Sequence, residues 1–227
     1  MTEPLQAEPL QAIEIETRPK PSHSVIWLHG LGADGNDFVP IVQELSLPPV
    51  GIRFVFPHAP MRPVTINGGF VMRAWYDISG QEMTRKEDEL GLRQSQKMIE
   101  QLAAKETARG VPAKRIVLAG FSQGGVIALQ TGLRQPQRLA GVMSLSAYLA
   151  LGAKLDKERN AANNATPVFL GHGTQDGIVP LALGTATRDR LIKLGYDVDW
   201  HQYPMAHSVC AEELRDISAW LARVLVP

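Results

Sequence analysis

The chain has 227 residues, 44% hydrophobic and 20% charged, a balance that supports one large α/β domain with a core needing no disulfide or structural metal. Lys+Arg and Asp+Glu both number 23, so the formal net charge is zero, and no basic block gives a nucleic-acid footprint. Cys210 is the single cysteine, which excludes an internal disulfide and fits a reducing, cytoplasmic setting.

The first residues carry acids and prolines with no apolar h-region, so no signal peptide is expected. No apolar run approaches the length of a membrane span, and the LARVLVP end has no lipidation motif. Residues 1–21 read as a polar arm, with an alternating edge strand over 13–17, and residues 22–227 as the folded domain. A short apolar run over 24–28 predicts a buried strand ending in His29-Gly30-Leu31-Gly32. A helix is expected over 36–44, then a second strand over 52–56 stopped by Pro57. Residues 57–84 hold Pro, Gly and aromatics without clear periodicity, and long loops of this kind are often functional. A long amphipathic helix is expected over 84–109, with Leu90, Met98, Ile99 and Leu102 on its apolar face and Gly110-Val111-Pro112 ending it. Strands follow over 115–119, 139–145, 168–170 and 197–202, and helices over 124–134, 181–194 and 209–224. Apolar strands alternating with helices predict a mainly parallel sheet with helices on both faces. In such sheets ligands bind beyond the carboxyl ends of the strands, so the loops after the strands are where chemistry is expected.

One of those loops is Gly120-Phe121-Ser122-Gln123-Gly124, a G-x-S-x-G pattern with a strand running in and a helix running out. A serine in that setting sits on a tight turn that lifts its hydroxyl above the sheet. The small residues two before and two after let neighbouring backbone come close. A serine that merely caps a helix is the simpler reading of the letters alone. The strand–turn–helix context favours a nucleophile. Such a hydroxyl needs a base, and the base needs a group that fixes its tautomer. His172, His201 and His207 follow Ser122. His207 lies on the loop after the last strand, whereas His201 falls inside that strand and His172 beside the turn after residues 168–170. That turn carries Asp176 between Ser122 and His207, in the chain order nucleophile, acid, histidine. Asp176 also fits a simple Asx-turn, and Asp156, Asp189 and Asp199 compete by order alone, but they fall in helices, on the surface or within a strand. Acyl transfer also requires two N–H donors for the developing oxyanion. The Gln123 amide is one candidate, and the Leu31 amide in the glycine-rich turn after the first buried strand is the other.

The stretches Leu28–Gly35, Pro57-His58-Ala59-Pro60, residues 63–69, Ala74-Trp75-Tyr76-Asp77, Gly120–Gly125, Gly171-His172-Gly173 with Asp176 and Val179-Pro180, and His207-Ser208 occur in order. Together they resemble the phospholipase/carboxylesterase family, which includes acyl-protein thioesterases and small bacterial carboxylesterases, over nearly the whole chain from residue 24 to 225. The resemblance implies an α/β-hydrolase fold and cofactor-free hydrolysis of carboxylic esters and often thioesters. It carries over Ser122, Asp176 and His207 as catalytic residues and Leu31 and Gln123 as oxyanion donors. It also implies that the 65–77 loop borders the acyl site with Trp75 near the scissile group, and that homodimers are a frequent assembly. Ala74 stands where some members have Ser.

Only residues 146–167 separate the fourth and fifth strands, too few for a large lid, so an open groove and short to medium acyl esters are expected. The apolar residues of the 61–76 loop suit either an acyl channel or a small satellite core. No metal-ligand spacing, G-x-G-x-x-G or P-loop is present, so neither metal nor nucleotide cofactor is expected. Cys210 lies near a helix start rather than at an elbow, which argues against a cysteine nucleophile. The substrate is left as a small ester, a lysophospholipid or an acylated protein. A non-catalytic binding protein on the same scaffold is the alternative from another class.

Overall fold

A computed structural model describes residues 10–80 and 86–226. Strand β1 (Ala12–Glu16) is the antiparallel edge of a seven-stranded sheet. The other six strands run parallel: β2 (His23–Leu28), β3 (Ile52–Pro57), β8 (Ile116–Phe121), β9 (Gly141–Leu145), β10 (Val168–Gly173) and β11 (Val198–Tyr203). Their order is β1-β3-β2-β8-β9-β10-β11. Period-2 alternation sorts the core into two layers. Ile26, Leu28, Leu118, Val142 and Leu170 pack on one face with α2 (Glu89–Ala108), α3 (Gln123–Gly132) and α5 (Leu181–Lys193). Val25, Trp27, Val117, Met143 and Phe169 pack on the other with α1 (Ile41–Glu44) and α6 (Ala211–Leu225). The segment between β9 and β10 holds only α4 (Leu155–Glu158) and one short 3-10 turn, so there is no large lid.

Three elements differ from expectation. The 36–44 helix is reduced to α1, because the chain enters it through single tight turns (Ile41 N–H to Phe38 O, 3.2 Å) around Pro40, which has no N–H to give. The long helix begins at Glu89, where the Asp88 carboxylate caps the Gly91 N–H at 2.9 Å; residues 84 and 85 lie outside the described residues. Leu90 is exposed, and Leu92 takes the buried place assigned to it. The segment read as an aperiodic loop contains a hairpin of β4 (Met61–Val64) and β5 (Phe70–Arg73), and β6 (Ile78–Ser79), which pairs with β7 (Lys86–Glu87) where the first turn of the long helix was expected. The first hairpin leaves Met61, Ile66, Phe70 and Val71 in solvent, so they form neither a satellite core nor a closed channel.

Candidate active site

Ser122 joins β8 to α3 with φ 53° and ψ −121°, a left-handed backbone that a non-glycine residue adopts at a cost of about 1–3 kcal/mol. The neighbours explain how the turn closes. A Cβ on Gly120 would stand 2.3 Å from the Gly124 carbonyl, and one on Gly124 would stand 2.3 Å from the Leu28 carbonyl oxygen. Only glycine allows the strand, the helix and β2 to approach this closely. The Ser122 N–H donates to Leu145 O at 2.8 Å, and its carbonyl accepts from Val126 N–H at 3.1 Å. The strained residue is thereby tied to β9 and to the first turn of α3.

The turn after β10 and the loop after β11 are laced together. Thr174 N–H donates to Tyr203 O at 2.8 Å, and Gln175 N–H donates to Met205 O at 3.0 Å. This lacing brings Asp176 to His207. The Asp176 side chain is fully buried, and its Oδ1 accepts from the N–H groups of Ile178 (2.9 Å) and Val179 (2.8 Å). Its Oδ2 is left to His207 Nδ1 at 2.7 Å. On the far side of the same ring, His207 Nε2 lies 2.9 Å from Ser122 Oγ. A carboxylate can only accept, so Nδ1 carries the proton and Nε2 presents its lone pair to the serine hydroxyl. The Phe121 ring flanks the imidazole with centroids 4.7 Å apart.

The competing residues are engaged elsewhere. His172 Nε2 donates to Val179 O at 2.8 Å and so braces the acid turn. His201 is ion-paired with Asp199 and Asp216. Asp156 pairs with Arg190, Asp189 with Arg188, and Asp199 also with Arg223. Cys210 is the N-cap of α6. Among the described residues no group of three or more His, Cys, Asp or Glu side chains gathers at metal-binding spacing, and no helix is long and apolar enough to cross a membrane.

The glycine-rich turn after β2 passes beside the serine: a Cβ on Gly30 would lie 3.5 Å from Ser122 Cβ. The Leu31 N–H has no acceptor among the described residues. Gln123 is the first residue of α3, so its N–H has no intrahelical acceptor either. Two unengaged amides, one at the turn and one at a helix N-terminus, suit a developing negative charge.

The sequence reading missed what holds these amides. The Gln123 side chain accepts from Trp75 N–H and donates to Tyr76 O, each at 2.7 Å, stapling the 74–77 segment to the elbow. Ser95 Oγ donates to the Trp75 carbonyl from α2. Trp75, expected to border the scissile group, has no exposed surface, and its indole N–H donates to His29 O at 2.9 Å. Its contact is with the turn that carries Leu31. The polar letter in position 123 was the available signal: a buried glutamine must satisfy both ends of its amide.

The phospholipase/carboxylesterase family model matches residues 10–225. The chain is 41% identical over 212 residues to acyl-protein thioesterase 1 of Neurospora crassa, covering 89% of this chain and 86% of that protein. It is 40% identical to acyl-protein thioesterase 1 of Mycosarcoma maydis, covering 91% and 92%. Among solved structures, Arabidopsis thaliana SOBER1 superposes with a TM-score of 0.85 at 29% identity, covering 89% of this chain and 99% of that one. Acyl-protein thioesterase 2 of Zea mays gives 0.82 at 28% identity, covering 94% and 99%. The parallel sheet with its edge strand and two helical layers is an α/β-hydrolase fold. By sequence and fold together, the chain belongs to the phospholipase/carboxylesterase family and is a carboxylic ester hydrolase.

Proposed function

We propose that the protein hydrolyses carboxylic esters and thioesters through an acyl-enzyme on Ser122, with His207 as general base and acid and Asp176 as its orienting carboxylate. The observation that carries this reading is the single imidazole bridging Ser122 Oγ at 2.9 Å and Asp176 Oδ2 at 2.7 Å. In the first half-reaction Ser122 Oγ attacks the acyl carbon as its proton passes to His207 Nε2. The carbonyl electrons move to the oxygen, which the Leu31 and Gln123 N–H groups receive. Collapse of that intermediate expels the alkoxide or thiolate, which takes the proton from His207. Water repeats the cycle on the acyl-serine and restores Ser122. The imidazolium formed in each half is stabilised by buried Asp176, whose other oxygen is held by two amides. Loss of one oxyanion donor costs about 3 kcal/mol of barrier.

The short segment between β9 and β10 and the absence of a large lid favour an open rim and acyl groups of short to medium length. The names of the relatives reported above bring an S-acylated protein in as a substrate class beside small esters. A fluorophosphonate probe is expected to label wild type at Ser122, and Ser122→Ala is expected to take no label and lose esterase activity. An unlabelled wild type, or a Ser122→Ala variant with full activity, overturns the reading. Across p-nitrophenyl esters, kcat/KM is expected to peak at short to medium chains; activity confined to long chains contradicts the open rim.

A further inference from the structure

We propose that His29 is a positioning residue of the oxyanion hole, aiming the Leu31 N–H by gripping the carbonyl at the other end of the same peptide unit; this rests on the triad reading above. The Gly30 carbonyl and the Leu31 N–H belong to one planar trans peptide, so they point in opposite directions, and fixing one fixes the other. His29 Nδ1 lies 2.7 Å from Gly30 O. His29 Nε2 lies 3.0 Å from the Ala59 amide nitrogen. An amide N–H can only donate and a carbonyl can only accept, so the two contacts assign one state to the ring: neutral, with the proton on Nδ1 and the lone pair on Nε2. The ring is 1% exposed, and burial holds its pKa below the usual histidine value. Asp34 opposes that shift, while His58 and Arg73 reinforce it.

The frame around the ring is rigid at both ends. Ala59 O accepts from the Arg73 guanidinium at 2.8 Å, and Arg73 O accepts from Gly32 N–H at 2.9 Å. Gly30 O also takes the Ala33 N–H at 3.3 Å, which closes the turn. The peptide before, His29–Gly30, is pinned by the Trp75 indole on His29 O. Without the imidazole, the Gly30–Leu31 peptide retains only the long Ala33 contact and is free to rotate its N–H away from the serine. The residue never touches substrate, so its effect belongs in the transition state and not in binding.

Two variants separate the ring's two contacts. In His29→Asn the amide nitrogen occupies the place of Nδ1 and can still donate to Gly30 O. In His29→Gln the amide reaches the place of Nε2 and keeps Ala59 but loses Gly30 O. His29→Gln is expected to lower kcat by roughly 10- to 100-fold, short of the loss of a whole oxyanion donor. KM should stay within about twofold, and a trifluoromethyl ketone that mimics the tetrahedral intermediate should weaken by the same factor as kcat/KM. His29→Asn is expected to recover most of the loss. Equal losses in the two variants, or a change in KM alone, overturn the proposal. Nitrogen-15 NMR of the wild-type imidazoles tests it without a variant: a His29 proton on Nε2 at neutral pH also overturns it. Failure of wild type to label at Ser122 would instead overturn the hydrolase reading, so the two failures are distinguishable.

Discussion

Asp176→Asn is expected to lower kcat by about 10⁴-fold while leaving the fold intact, because it reverses the direction of one hydrogen bond. Asp176 Oδ1 receives two backbone N–H groups, from Ile178 and Val179. An asparagine must turn its carbonyl oxygen to those two donors. Its NH₂ then occupies the place of Oδ2, 2.7 Å from His207 Nδ1. Two donors cannot face each other, so the imidazole moves its proton to Nε2. The lone pair that should receive the serine proton is then gone, although every heavy atom keeps its place. The measurement is kcat on a short acyl ester, beside a thermal melt and fluorophosphonate labelling kinetics. A melt within a few degrees of wild type with labelling slowed in step with kcat is the expected pair of results. A loss below about 100-fold would mean that Asp176 does not set the tautomer of His207.

The residues of this site were legible in the sequence because each follows a strand that could be recognised by composition. RIVLA before Ser122, VFL before Asp176 and the run before His207 are apolar or β-rich, and parallel strands place their carboxyl ends at one rim. The supports were not legible, because they depend on which distant backbone a side chain meets. Nothing near position 29 says that Ala59 will offer an N–H to its ring, and nothing near Gln123 says that Trp75 and Tyr76 will fill both ends of its amide. The hairpin of β4 and β5 escaped for another reason. Its strands are four residues long and carry Met61, Phe70 and Val71 outward, so alternation against a core never develops. The start of α2 was placed too early because polar residues 84–88 suit a solvated helix face as well as a loop, and only the bond from Gly91 to Asp88 fixes the cap. Trp75 followed from the family likeness as a neighbour of the acyl site. Its burial makes it a brace for the turn next to that site.

Glu213→Gln is expected to raise stability at alkaline pH, and the reason lies beneath the loops that carry Asp176 and His207. Glu213 is in the first turn of α6, five residues after Ser208, with no exposed surface. Its carboxyl fills the space where Gly171 of β10 lacks a side chain: a Cβ there would stand 2.1 Å from Oε1. Neither carboxyl oxygen has a partner in hydrogen-bond geometry. Burial, with the nearby Asp216 carboxylate, pushes Glu213 up to about 8, and the Cys210 amide offsets this only in part. The other groups on this side are Tyr203, whose hydroxyl donates to Asp216, and His201, which is paired with Asp199 and Asp216. The unfolded chain ionises this residue near 4.5. Between that value and about 8 the folded state therefore holds a proton that the unfolded state has released. Stability from this group is complete below 4.5 and falls as the pH rises to 8, by about 4 kcal/mol at about 1.4 kcal/mol per unit. That is a large share of the roughly 5–15 kcal/mol that holds a domain together. Glutamine keeps the shape and cannot ionise, so its urea-unfolding free energy should lack this fall. The two curves are expected to diverge steadily from pH 5 to pH 8, with the variant ahead at the alkaline end. Parallel curves would show that Glu213 is already ionised in the folded protein at neutral pH, and would overturn this reading.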